Sequence, residues 1–145
     1  MTRERAVFTN HDGGVGVFIP CEECIEAMAS GGYWDHMPAG YFKVQIQRQI
    51  EDGISPESAK AFAEALHFGG VSREDAIRLI AHRDCERFGV AVEIVDVSDI
   101  PADRTHRLAW RRSQNGGPIW IDDMIALKID EQRAWSAYEG RNART

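Results

Sequence analysis

The sequence predicts an α+β fold in which a small antiparallel sheet is packed by helices, within one domain covering residues 1–145. Three observations point there. Two short apolar runs, at 6–8 and 15–19, flank the turn-forming segment Asn10-His11-Asp12-Gly13-Gly14. Two stretches in the middle carry capped apolar stripes at helical spacing. Val90–Val95 is β-branched, mostly apolar and short, which suits a buried strand beside the hairpin. The 145 residues are 43% hydrophobic and 28% charged, the range of a globular chain. A chain of this length buries roughly 68–70% of its unfolded surface and needs no disulfide or metal to fold.

The elements follow in order. Asn, Asp and Gly tolerate the positive φ of a hairpin turn, and Pro20, lacking an N–H, ends the second strand. Residues 21–29 suit a short helix. Ala29–Gly40 reads as a loop carrying Tyr33 and Trp34. Residues 41–51 read as a helix with Phe42, Ile46 and Ile50 on one side and Gly53 as its stop. Ser55-Pro56-Glu57 supplies an N-cap, a first-turn proline and an acid, and Ala59, Phe62, Ala63 and Leu66 follow at i, i+3, i+4, i+7. Gly69-Gly70 ends that helix. Ser72 and Asp75 open the next in the manner of a capping box, Ala76, Ile77, Ile80 and Ala81 form its stripe, and Gly89 follows it. Helices this short are marginal alone, so both stripes must pack on something.

After the Val90–Val95 strand, Asp96, Asp99 and Asp103 surround Ile100-Pro101 in a polar connection. The segment Arg104–Arg112 is expected to be helical. Gln114–Pro118 turns the chain, and Ile119-Trp120-Ile121 is a candidate fourth strand of the sheet. Asp122 is placed to cap a final helix to about Tyr138, with Gly140 after it and a frayed tail at Arg141–Thr145.

Charge argues about partners. Lys+Arg number 17 against Asp+Glu 23, a net −6. Proteins that bind duplexes generally show the opposite sign, because neutralising phosphates supplies most of their affinity. Nucleic acid is therefore not the expected partner. No run approaches a membrane span, and the start Met1–Phe8 has neither the apolar region nor the cleavage site of a signal peptide, so the expected location is the cytoplasm.

Several constellations could carry chemistry. Cys21-x-x-Cys24 and His82-x-x-Cys85 have the ligand types and spacing of a tetrahedral zinc site. Against that, no glycine-rich knuckle surrounds the first pair and 57 residues separate Cys24 from His82. No metal or cofactor is assigned, and buried thiols with a capping histidine are the preferred reading. Three cysteines argue against a disulfide framework, and Glu22 and Glu23 disfavour a reactive thiolate at Cys21. The pair of helices in Ser55–Asp84 has the outline of a helix-turn-helix with Arg73, Arg78 and Arg83 on the reading helix, but Glu74, Asp75 and Asp84 cancel that charge. Arg104, His106, Arg107, Trp110, Arg111 and Arg112 follow one another without an acid between them. Two uses are open: gripping an acidic surface with Trp110 stacking, or local neutralisation by Glu93, Asp96, Asp99 and Asp103. Tyr33, Trp34 and His36 are either a lid on the core or a contact surface. No phosphate loop, dinucleotide fingerprint, His-Glu-x-x-His or Gly-x-Ser-x-Gly occurs, so no enzymatic activity is expected.

Four segments, Gly31-Gly32-Tyr33-Trp34-x-His36, Arg83-Asp84-Cys85-x-x-Phe88-Gly89, Asp103-Arg104-x-x-Arg107-x-Ala109-Trp110-Arg111 and Asn115-Gly116-Gly117-Pro118-Ile119, resemble small uncharacterised proteins of bacteriophages and of alphaproteobacterial prophages. The hairpin and Asp99–Arg112 also resemble a shorter phage family, beside which residues 27–84 would be a helical insertion between hairpin and third strand. The resemblance implies a phage context and carries no catalytic residue; Cys21 and Cys24 fall outside it. The expected function is a non-enzymatic, phage-encoded binding protein of accessory or counter-defence type. It would meet a host or phage protein through Tyr33, Trp34, His36, Arg104, Arg107, Trp110 and Arg111. The alternatives are a virion or assembly component, self-associating through the C-terminal helix, and a zinc- or DNA-binding regulator.

Overall fold

The computed structural model describes residues 2–143 and has the α+β architecture. Strands β1 (Glu4–Thr9) and β2 (Val15–Phe18) form the expected hairpin, pairing Ala6 with Phe18 and Val7 with Val17. Its turn is closed by Asn10 and Gly14, and the Asp12 carboxylate accepts the Gly14 N–H at 2.8 Å. Four helices follow: α1 (Glu22–Ser30), α2 (Tyr41–Glu51), α3 (Pro56–Phe68) and α4 (Arg73–Cys85). Both serine caps form as expected, Ser55 accepting from Ser58 N and Ser72 from Asp75 N, each at 3.2 Å. Strand β3 (Val90–Asp96) then returns to the free edge of β1, antiparallel, so the sheet order is β2-β1-β3.

Alternation along β1 sorts the core into two layers. Ala6 and Phe8 face Ala81 and Cys85 of α4, continuous with a larger cluster of Ile25, Met28, Phe62, Leu66, Ile77 and Ile80 from α1, α3 and α4. The helices between β2 and β3 share this core with the sheet through Phe18 and Ile94. Val7, between Ala6 and Phe8, faces the other way and packs with Ile100 and Trp110, joined by Val15, Val17, Val95 and Ile119. The molecule is thus helices, sheet, and a cap of irregular chain.

The cap departs from expectation. Arg104–Arg112 is not a helix: a single 3-10 turn at Arg107–Ala109 leads into strand β4 (Trp110–Arg111). The extended chain at Trp110 sets the indole against Val7 and Ile100 on the sheet. Strand β5 (Trp120–Ile121) does not join the main sheet. It pairs with β4 in a separate antiparallel two-stranded ribbon, Trp110 with Ile121 and Arg111 with Trp120. Helix α5 (Asp123–Ala143) is capped by Asp122, whose carboxylate accepts from Met124 N at 3.0 Å and Ile125 N at 3.2 Å. It runs through Gly140 instead of ending before it, since no left-handed residue terminates it there. The helix continues to Ala143, past the expected end near Tyr138; residues 144–145 of the tail expected to fray lie outside the described residues. Among the described residues no helix is long and apolar enough to cross a membrane.

Candidate functional site

The residues singled out in the sequence lie in two separate places. Tyr33, Trp34 and His36 belong to the helical layer. Their loop is tied to the end of α3 by backbone bonds from Gly32 N to His67 O (2.9 Å) and from Tyr33 N to Leu66 O (3.2 Å). Trp34 is half-buried against the helical core, edge-on to Tyr33 and Tyr41 at 5.3 and 6.2 Å. It acts as a lid, while Tyr33 and His36 stay exposed. Arg104, Arg107, Trp110 and Arg111 sit in the cap, on the opposite face of the sheet. The seven residues do not form one surface.

Trp110 requires correction as a contact residue. It is 0% exposed, among Val7, Ile100 and their neighbours, and its Nε1 meets no hydrogen-bond partner among the described residues. No partner can stack on it. Amid arginines it reads as a surface aromatic, yet it is the largest fully buried side chain.

The arginines divide. Arg112 is ion-paired with Glu93, as local neutralisation would have it. The three aspartates are engaged elsewhere: Asp96 with Arg3, Asp99 with the Asp96 backbone N–H, and Asp103 with Thr105. The Thr105 hydroxyl and N–H hold the Asp103 carboxyl below its ordinary range. Arg107 lies with its guanidinium carbon 5.9 Å from the Trp110 ring centroid, and Arg111 donates to the Trp110 carbonyl at 3.0 Å. Arg104 is exposed and lines a cleft of about 630 Å³ with Arg5, Ile19 and the 97–102 segment.

The metal and helix-turn-helix candidates fare as follows. Cys21 is exposed, Cys24 half-buried and Cys85 buried. Cys24 and Cys85 pack in different clusters, and among the described residues no three His, Cys, Asp or Glu side chains are grouped to hold a metal ion. Burial, helped by Asp84, pushes the Cys85 thiol up to about 11, and burial also raises that of Cys24. These are packing thiols. On α4, Arg73 is clamped between Glu4 and Glu22, Arg78 pairs with Glu74, and Arg83 pairs with Asp84 while lying 3.5 Å above the Phe62 ring. Each arginine of the supposed reading helix already has an acidic partner.

What residue-by-residue reading missed lies along α5. This helix meets the body chiefly at the Arg107–Ala109 turn, where His106 Nε2 contacts Asp130 Oδ1 at 2.7 Å and Asp122 N donates to Ala109 O at 2.8 Å. From Asp130 to Asn142 every residue is exposed. Met124 (66% exposed), Leu127, Trp135 (62%) and Tyr138 share the outward side of the helix, and Leu108 (79%), Trp120 and Ile121 are exposed in the cap. Trp135 and Tyr138 stand edge to face, centroids 5.7 Å apart. The signal was available: apolar residues at 124, 127, 134 and 138 repeat with helical spacing. In comparisons with known proteins, no family model, no curated protein and no solved structure matches this chain.

Proposed function

We propose that this chain is a phage- or prophage-encoded binding protein of accessory or counter-defence type, without enzymatic activity, that works in the host cytoplasm by contact with another protein. The observation that carries the reading is the exposed apolar side of α5, Met124, Leu127, Trp135 and Tyr138, together with exposed Leu108, Trp120, Arg104 and Arg107 in the cap. Contiguous exposed apolar surface marks interaction sites, and Trp, Tyr and Arg are the residue types that dominate binding energy there. The phage context is supported by the motif resemblance around Tyr33, Cys85, Trp110 and Gly116.

Burial of Trp110 removes it from the contact, and the exposed indoles of Trp120 and Trp135 take its place. The test is affinity capture from host lysate with wild type and a Trp120→Ala/Trp135→Ala variant, both residues being exposed and safe to truncate. Specific recovery by wild type alone supports the reading; identical recovery by both sinks it. Helix α5, standing clear of the body, also favours the second reading, an assembly component of the virion. Association of the purified chain with phage particles, read by sedimentation of virions, would distinguish it.

A further inference from the structure

We propose that the outward stripe of α5 is a self-association surface on which two copies of this chain pair antiparallel about a two-fold axis. This deepens the contact reading above by naming one occupant, a second copy.

Met124, Leu127, Glu131, Ala134 and Tyr138 are spaced 3, 4, 3, 4, the repeat that keeps a seam facing a partner helix. All five are exposed, so none of the described residues covers the seam. A helix of 21 residues is about 31 Å long, and from Asp130 to Asn142 every residue is exposed, the situation in which a helix gains from packing against another.

Charge decides the orientation. In a parallel pair Glu131 would face Glu131 in one layer, two like charges at the centre of an apolar seam. Antiparallel pairing sets Leu127 opposite the second copy's Tyr138 and Glu131 opposite the second copy's Ala134, which offsets the two acids by three residues, about 4.5 Å along the axis. The same register brings together groups at the two ends of the helix. Asp123 and Arg141 lie on one edge of the stripe, 18 residues or five turns apart, and so meet across the axis. On the other edge, Lys128 meets the second copy's Trp135, a cation over an aromatic face. The free half of each helix also crosses the base of its partner, where Leu108 and Trp120 are exposed. The surface is complementary to itself, as a two-fold interface requires.

The experiment is sedimentation equilibrium on the full chain over a concentration series. Wild type is expected to show a monomer–dimer equilibrium. Asp123→Arg and Arg141→Asp should each weaken the dimer about tenfold, and the double swap should recover it, which a folding defect would not do. Orientation is read in a Cys21→Ser background: a Leu127→Cys chain mixed with a Tyr138→Cys chain should give a mixed disulfide in preference to either same-site disulfide. A chain that stays monomeric throughout, a double swap that does not recover, or preferential same-site disulfides would each overturn the proposal. If the chain is monomeric but Trp120→Ala/Trp135→Ala still abolishes capture of a lysate protein, self-pairing fails and the contact reading survives. If neither effect is seen, both fail.

Discussion

Arg112, buried to 0% of its side chain, is ion-paired with the half-exposed Glu93 and so pins the cap to the third strand. Its remaining N–H groups donate to the carbonyls of Ala91 (2.7 Å) and Gly117 (2.9 Å) and to the Thr9 hydroxyl (3.1 Å). A buried cation is tolerable only when its donors are satisfied in this way. Arg112→Ala leaves those acceptors unpaired and should lower stability by about 3–5 kcal/mol in urea titration. Glu93→Gln, at a site partly open to water, should cost about 1–2 kcal/mol. A loss below about 1 kcal/mol for Arg112→Ala would mean that the cap is not anchored through this residue.

Gly31 and Gly69 touch back to back, at φ 72° and 74°, where α1 and α3 end. A Cβ on Gly31 would lie 2.8 Å from Gly69 N, and one on Gly69 would lie 2.6 Å from Gly31 N. Either alanine meets backbone and takes up a left-handed conformation. Each substitution should cost about 1–3 kcal/mol, and the double variant less than their sum, because the first already separates the two turns. Strict additivity in thermal unfolding would contradict this contact.

Carboxylates held by arginines set the acid limb of stability. Arg3, with Ser98, keeps the Asp96 carboxyl well below its usual range, and hydrogen bonds from Arg73 lower those of Glu4 and Glu22. Their folded-state values lie below the unfolded ones, so their contribution is complete above the ordinary range near pH 4 and disappears as pH falls through the folded values. Arg73→Met should therefore be less stable than wild type at about pH 6, with the difference narrowing towards about pH 2.5. A difference that stays constant across that range would remove the electrostatic explanation.

The three thiols should label in order of access. At about pH 8 a disulfide reagent should modify exposed Cys21 first, and Cys85, buried and with its thiol raised to about 11, at least about a hundredfold more slowly until denaturant is added. Equal rates for the two in the native protein would contradict the packing of α4 on β1.

Local chemistry explains what was legible. Ser55, Pro56 and Ser72 mark where α3 and α4 begin, and a cap acts over three residues, within reach of sequence reading. The hairpin was readable for the same reason, through Asn10–Gly14. The cap was not. Whether Trp110 and Arg112 point inward depends on Val7 and Glu93, distant in the chain, and an Arg-rich run with one indole looks the same whether gripping a partner or stapling a sheet. The stripe on α5 was readable as periodicity, but that it faces solvent depends on where the body ends.

The position of β1 between β2 and β3 bears on how the chain is made. During synthesis the hairpin leaves the ribosome ahead of the helices, and its central strand then waits, with one row of amides and carbonyls unpaired, until residues 90–96 emerge about 80 residues later. An isolated two-stranded hairpin is marginally stable, and a bare edge invites foreign strands. Nascent chains stalled before Val90 should therefore stay unfolded or aggregate, and productive folding begins only once the four helices have been released ahead of the third strand.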